Sequence, residues 1–258
     1  MNVLGSLGGD ALEGGPNRYT SSQPGRAGDG NDGSDAAPGL DGAGGVFDGR
    51  IDIGRWVPTG YGETGAFARN GGGGGGGGGT EYTFRNDTDW FYGAGGAGGG
   101  SGGCSGEPGR GGAPGGASIG ALLVRSEMTF VDVQIAASSG GRGGDGGMGG
   151  EGGQGAPGGM GTSLADEYAS FGQGSLIGPT DTHARSGDGG AGGAGGRGGA
   201  GGGGAGGASY GVYCLGSDGA EFTRTQASGA SEAADGGQGA GASGAPGEVE
   251  DLKGCVGM

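Results

Sequence analysis

Few side chains in this sequence are equipped for chemistry, and they are scattered. The single histidine, His183, lies in "GPTDTHARSG", two residues after Asp181. The cysteine nearest to it along the chain is Cys214, and nothing like a nucleophile elbow appears. His183 therefore reads as a polar loop residue and not as a general base. "GDGNDGSD" (28–35) gathers Asp29, Asn31, Asp32 and Asp35. Oxygen-rich, glycine-punctuated loops suit Ca²⁺, but this spacing fits neither an EF-hand loop nor a calcium-binding nonapeptide repeat. A solvated acidic turn is the expected reading of Asp29, Asp32 and Asp35, with calcium as the alternative. "GGGGGGGGG" (71–79) lacks the Lys-Ser/Thr that completes a phosphate-binding loop. No catalytic residue, metal site or cofactor is predicted, and the protein is not expected to be an enzyme.

The cysteines are Cys104, Cys214 and Cys255, an odd count. A Cys214–Cys255 bridge would tether the end of the chain in an oxidising compartment; buried free thiols are the alternative. Trp90, Phe91 and Tyr92 are adjacent in "TEYTFRNDTDWFYG" (80–93). With Trp56 and Tyr61 they read as a small core for the N-terminal half, or else as a binding surface, where aromatics are enriched.

The rest of the chain must position these residues with very little apolar material. Glycine supplies 86 of 258 residues, hydrophobic residues only 31% and aromatics 6%. That share is collagen-like, but there are only 9 prolines and the dominant repeat is G-G-X, as in "GGRGGDGGMGGEGGQGAPGGMG" (140–161). A conventional core for this length is out of reach. The net charge of −15 disfavours phosphate backbones and anionic lipids, so nucleic-acid binding is excluded despite the three "GRGG" tetrads. No apolar run is long enough for a membrane span. "MNVLGSLGGDALEGG" has neither the basic nor the apolar region of a signal peptide, so the expectation is either an intracellular protein or a start that is internal or truncated.

Two stretches are expected: a mixed, Gly/Asp-rich segment (1–70) and a glycine-rich repeat domain (71–258). Within the latter the chain repeats itself. "GGASIGALLV" (115–124) matches "GGASYGVYCL" (206–215), and "FVDVQ" (130–134) matches "FTRTQ" (222–226). The two copies span about 111–158 and 202–247, with a loop at 162–186 between them. Each reads as glycine run, apolar strand, turn, second strand, glycine run. In the second strand of the first copy, period two places Val131, Val133 and Ile135 on one face and Phe130, Asp132 and Gln134 on the other. Helix is disfavoured, because glycine costs about 1 kcal/mol per position relative to alanine.

A polyproline-II-type helix has three residues per turn and no internal hydrogen bonds. A G-G-X period puts every X on one edge and leaves two edges bare, so neighbouring helices can approach and bond through their main chains at ~1 kcal/mol net per bond. The predicted fold is therefore non-helical: a polyglycine-II bundle with a few short β-strands, some of them β-helix-like rungs.

Residues 70–258 resemble the glycine-rich, PE-PGRS-like surface proteins of high-GC bacteria. The strand–turn–strand unit "IGALLVRSEMTFVDVQI" is similar to rungs of a right-handed β-helix, and the long glycine runs to the polyglycine-II bundles of a snow-flea antifreeze protein and of phage tail-tip adhesins. The resemblance implies a secreted or cell-surface structural or adhesive protein without catalysis. An adhesin-type ligand-binding tip is the first alternative and ice binding the second, with Thr223 and Thr225 as the only hint of a threonine ladder. The expected partner is a protein or glycan surface, or another copy of the chain. The residues expected to meet it are Tyr168, Phe171, His183 and Arg185 of the loop, with Trp90, Phe91 and Tyr92.

Overall fold

A computed structural model describes residues 27–79, 82–83, 91–92, 95–162, 185–217 and 219–255. Among them there is no helix, and the regular elements are eleven short strands. The described fold is non-helical, in keeping with a glycine content that disfavours helix. The chain divides into two compact units. Unit 1 draws on residues 1–38, 68–106 and 151–197, and unit 2 on 39–67, 107–150 and 198–258.

In unit 1 the glycine segments run without strand pairing, yet their main chains are hydrogen-bonded at every third residue. The 185–197 segment lies at the centre. Its Gly190, Gly193 and Gly196 amides donate to the carbonyls of Gly75, Gly72 and Arg69 at 2.8–3.0 Å. One residue earlier in each turn, Gly189, Gly192 and Gly195 donate to Gly159, Ala156 and Gly153. The central carbonyls are used in the same rhythm. Those of Asp188, Ala191 and Ala194 accept from Gly30, Gly33 and Ala36, and those of Gly190, Gly193 and Gly196 from Gly100, Gly103 and Gly106. Four neighbours thus share one segment.

The period of three explains the composition. A Cβ built at Gly192 would overlap the Ser101 carbonyl, and one at Gly193 the Ser34 carbonyl. At the third position the chain carries Asp188, Ala191, Ala194 and Arg197, which are only half-buried.

In unit 2 the 198–208 segment continues the pattern against 60–66, 107–118, 141–150 and 42–45. Here two more stretches join: Gly203 and Gly206 donate to Ala242 and Ala245, and Gly237 donates to Gly204. Every residue from Gly198 to Ala208 is buried.

Unit 2 also holds most of the β-structure. A hairpin pairs β1 (Gly49–Asp52) with β2 (Arg55–Pro58) through Ile53 and Gly54, both at positive φ (47° and 73°). Two positive φ values in a two-residue loop define the turn that matches strand twist, and a β-branched residue is unusual there. Of β3 (Tyr82–Thr83) and β4 (Phe91–Tyr92) only the antiparallel pairing is described.

The two sequence copies become two parallel layers. β5 (Ser118–Val124) pairs with β8 (Ser209–Leu215), β6 (Thr129–Val131) with β9 (Glu221–Thr223), and β7 (Gln134–Ala136) with β10 (Gln226–Ser228), all parallel. β11 (Val249–Lys253) adds a third strand beside β8. The sequence offset is the pairing register: Phe130 meets Phe222 and Gln134 meets Gln226. The rings of Phe130 and Phe222 stack at 5.2 Å and 3°, and Gln134 Nε2 donates to Gln226 Oε1 at 3.2 Å, 92 residues away. Leu123, Ile135, Val212, Cys214 and Ala220 form the core, with Phe130, Phe222, Ala227, Leu252 and Cys255 packed against it.

The single second strand expected over 130–135 is broken. Asp132 takes φ of 57°, turning the chain between β6 and β7. Parity resets at that corner. Phe130 and Ile135 point inward, while Val131 and Val133 are exposed at 48% and 38%. Arg224 repeats the corner in the second layer at φ of 49°, and its guanidinium pairs with the Asp132 carboxylate. Arg125, Gly216 and Gly254 turn the chain just past β5, β8 and β11 in the same way.

Candidate functional site

The aspartates singled out as a calcium candidate have a main-chain role. Asp29, Asp32 and Asp35 recur every third residue along one edge of the first glycine segment. Their Oδ1 atoms accept the amides of Asp188, Ala191 and Ala194 at 2.8, 2.8 and 2.7 Å, each 159 residues away. In unit 2 Asp41 does the same for Ala200 at 2.7 Å. The next two amides of that register, Gly203 and Gly206, are served instead by main-chain carbonyls. A carboxylate thus fills the place of a neighbour's peptide oxygen, and a charged acceptor makes the stronger bond. Asn31 is not among these acceptors; its carbonyl accepts from Gly75. Among the described residues no three His, Cys, Asp or Glu side chains form a metal-binding group.

The base of the 162–186 loop is built in unit 1. Thr162 and Ser186 exchange main-chain and hydroxyl bonds: Ser186 N to Thr162 O at 3.0 Å, and Thr162 N to Ser186 Oγ at 2.9 Å. Ser186 is fully buried. Asp188 Oδ1 accepts the Gly161 amide at 2.6 Å and faces Arg185 at 3.3 Å, while Arg185 Nε donates to the Gly161 carbonyl. The two ends of the loop are therefore held together. Of the expected contact residues, Arg185 lies at this base, with its side chain about half exposed. Tyr168, Phe171, His183 and Trp90 lie outside the described residues, and Phe91 and Tyr92 are described only as strand β4.

The outward positions of 139–162 form edges of mixed polarity. In unit 2 Arg142 pairs with Asp145 at 2.9 Å one turn away, and Met148 is 71% exposed. In unit 1 Glu151 pairs with Arg197 at 3.4 Å, and Met160 is exposed. Such solvated pairs contribute at most about 1 kcal/mol each, but Asp145 Oδ1 also accepts the Gln238 amide at 2.7 Å and so ties its segment to another.

Trp56 does not join Tyr61 in a core of the N-terminal half. It packs edge-on against Tyr210 and Tyr213, each at 5.9 Å, with Phe47 stacked at 6.5 Å, while Tyr61 is 63% exposed. Tyr210 is almost wholly buried, and its hydroxyl donates to Glu248. Lys253 Nζ donates to Glu248 and Glu250 at 2.8 and 2.7 Å. Burial, followed by the Glu248 bond, raises the Tyr210 pKa far above its ordinary value. Burial works to raise Glu248, but the bonds from Lys253 and Tyr210 outweigh it and hold the carboxyl below its usual range. The same two carboxylates raise Lys253. No spacing rule pointed to this cluster, because Trp56 on β2, Tyr210 and Tyr213 on β8, and Glu248 and Lys253 at β11 come together only in the fold.

Cys214 on β8 and Cys255 beyond β11 are joined by a disulfide, and Cys104 is a free, exposed thiol. Thr223 is exposed, and the Thr225 hydroxyl lies 3.1 Å from the Phe130 carbonyl and 3.2 Å from that of Thr223. No helix among the described residues is long and apolar enough to cross a membrane.

The chain matches no family model, no curated protein and no solved structure. The resemblance of residues 70–258 to PE-PGRS-like proteins therefore rests on repeat pattern alone.

Proposed function

We propose that the glycine segments are polyglycine-II-type helices packed as a bundle, with β5–β11 as β-helix-like rungs. On this reading the protein is a non-catalytic structural or adhesive scaffold of the cell surface. The observation that carries it is the use of the 185–208 amides and carbonyls in turns of three, each turn serving different neighbours. Three residues per turn without internal hydrogen bonds is the property of this helix type. Within each unit a segment so shared is held rigidly, and the outward residues of the segments around it, with the pinned loop, form the display surface. Loops held by a rigid scaffold are where binding residues concentrate. The partner is a protein or glycan surface.

Two measurements test the two halves of this reading. Far-UV circular dichroism should show a polyproline-II-like spectrum lost in one cooperative melt; a non-cooperative change removes the bundle. Replacing residues 163–185 by a short Gly-Ser linker should leave that melt in place and abolish adhesion to cells. Adhesion that survives the replacement removes the loop from the contact surface.

A further inference from the structure

The layered strands of unit 2 end unequally. β11 gives β8 a third strand, whereas β9 and β10 have no third-layer partner among the described residues. The parallel register fixes what they leave open. The amides of Glu221 and Gln226 donate to Met128 and Val133 of the first layer, and the carbonyls of Thr223 and Ser228 accept from Asp132 and Ala137. Alternate residues of a strand turn their N–H and C=O to opposite sides, so Phe222 and Ala227 turn theirs to the third layer. A cavity of about 650 Å³ opens there, lined by Ile135, Phe222 and Ala227 and by Leu252 of β11.

This edge has two faces. Phe222 and Ala227 pack toward the core, while Arg224 and Gln226 are exposed on the outside. A compact ligand cannot touch both. An added strand can, because its own side chains alternate while its main chain pairs with the open amides and carbonyls.

We infer that the edge of β9 and β10 binds an extended segment of another protein, paired parallel as their third layer. The first layer shows which side chains fit. At Phe222 an aromatic ring continues the stack begun by Phe130 at 5.2 Å. At Arg224 an aspartate repeats the ion pair made by Asp132, on the open side of a guanidinium that is 71% exposed. Aspartate also tolerates the positive φ that both layers adopt at this corner. At Gln226 a glutamine extends the ladder from Gln134, and at Ala227 an aliphatic residue fills the cavity. The segment therefore reads F-x-D-x-Q followed by an aliphatic residue. This chain carries that pattern once, at 130–134, where it already forms β6 and the start of β7. A second copy offering it would also bring its β5 into the place that β11 holds beside β8. A segment of another protein meets no such obstacle. This edge is separate from the loop and outward positions proposed above and does not depend on them.

The test uses the full chain and end-blocked peptides of sequence TFVDVQIA, that of residues 129–136. Calorimetry measures affinity, and hydrogen exchange by NMR follows the Phe222 and Ala227 amides. The peptide should bind and protect both. In the inferred register the amide of its first valine donates to the Phe222 carbonyl, and that of its phenylalanine faces away. N-methylation of that valine should weaken binding about tenfold, and N-methylation of the phenylalanine should change it less than about twofold. Lysine in place of the peptide's aspartate should also cost about tenfold, a difference that should vanish in Arg224→Gln. The methylated pair needs no variant, so it stays decisive if Arg224→Gln folds poorly. No binding, equal affinity of the two methylated peptides, or a lysine peptide as tight as the parent on the wild type would overturn the assignment. So would protection of the two amides that rises with protein concentration without peptide, since the occupant would then be a second copy.

Discussion

Alanine should act with opposite sign at two glycines of the same unit. Replacing glycine by alanine where the backbone tolerates it ordinarily stabilises by ~0.4–1 kcal/mol, because the unfolded chain loses freedom. At Gly116 a Cβ meets nothing within 4 Å, so Gly116→Ala should show that gain. At Gly146 a Cβ would overlap the Gly201 carbonyl oxygen and lie 2.6 Å from its carbon and 2.8 Å from the Gly202 carbon. These obstacles are main chain and cannot rotate away. Relief requires the two segments to part, straining the Gly201 N to Gly147 O and Gly204 N to Gly144 O bonds at 2.8 and 2.9 Å. Two main-chain bonds at ~1 kcal/mol each, with ~1–3 kcal/mol for overpacking and the entropic gain subtracted, give a net loss of ~2–4 kcal/mol. For a chain of this size that is a fall in Tm of roughly 5–15 °C. Thermal melts of the two variants beside the wild type decide the matter. A shift of the same sign in both would refute the reasoning, since nothing but the neighbouring backbone distinguishes the sites.

Asp32→Ala should speed hydrogen exchange of the Ala191 amide and cost about 1 kcal/mol, whereas Asp32→Asn, which keeps an oxygen, should change exchange little; equal protection in all three proteins would deny the carboxylate its role. Cys255→Ser should cost ~2–4 kcal/mol, given the 41-residue separation it closes, and non-reducing mass spectrometry of the wild type should find one bridge and a single alkylatable thiol at Cys104. Tyr210 and Lys253 hold their protons more tightly in the folded state, so the stability they supply is complete below about pH 10 and drains as pH rises through their elevated values. Glu248 is shifted the other way, so its contribution is present above pH 4.5 and drains as pH falls through its lowered value. Urea midpoints across pH 3–12 should trace both limbs, and Tyr210→Phe should flatten the alkaline one.

The sequence displayed the copies at 115–134 and 206–226 plainly, because identical residues stacked at one register must recur at one spacing. It also displayed which positions tolerate side chains, since a G-G-X period mirrors three residues per turn. It did not display the corners. Asp132 and Arg224 adopt positive φ without being glycine, so the alternation that placed Val131, Val133 and Ile135 on one face failed at a point with no local signal. Nor did it display the partners of Trp56, which lie on β8, more than 150 residues along the chain. The main-chain role of Asp29, Asp32 and Asp35 has no sequence signal, because the donors they meet, the amides of residues 188, 191 and 194, carry no side-chain signature.

The distance between those partners has a temporal meaning. An amide at Ala191 finds its acceptor on Asp32, a residue that left the ribosome 159 positions earlier. At ~5–20 residues per second the interval is on the order of 10 s. During it, the glycine segments before residue 185 lack the strand they share, and local helix formation cannot shelter them. Earlier segments bond one another directly, as Gly72 does Ser34 and Gly144 does Ala113, but the bonds to the shared segment must wait for long loops to close, so folding completes only once 185–208 is made. The scarcity of apolar side chains then has a second use, because a waiting chain rich in glycine and net acidic offers little for aggregation to seize.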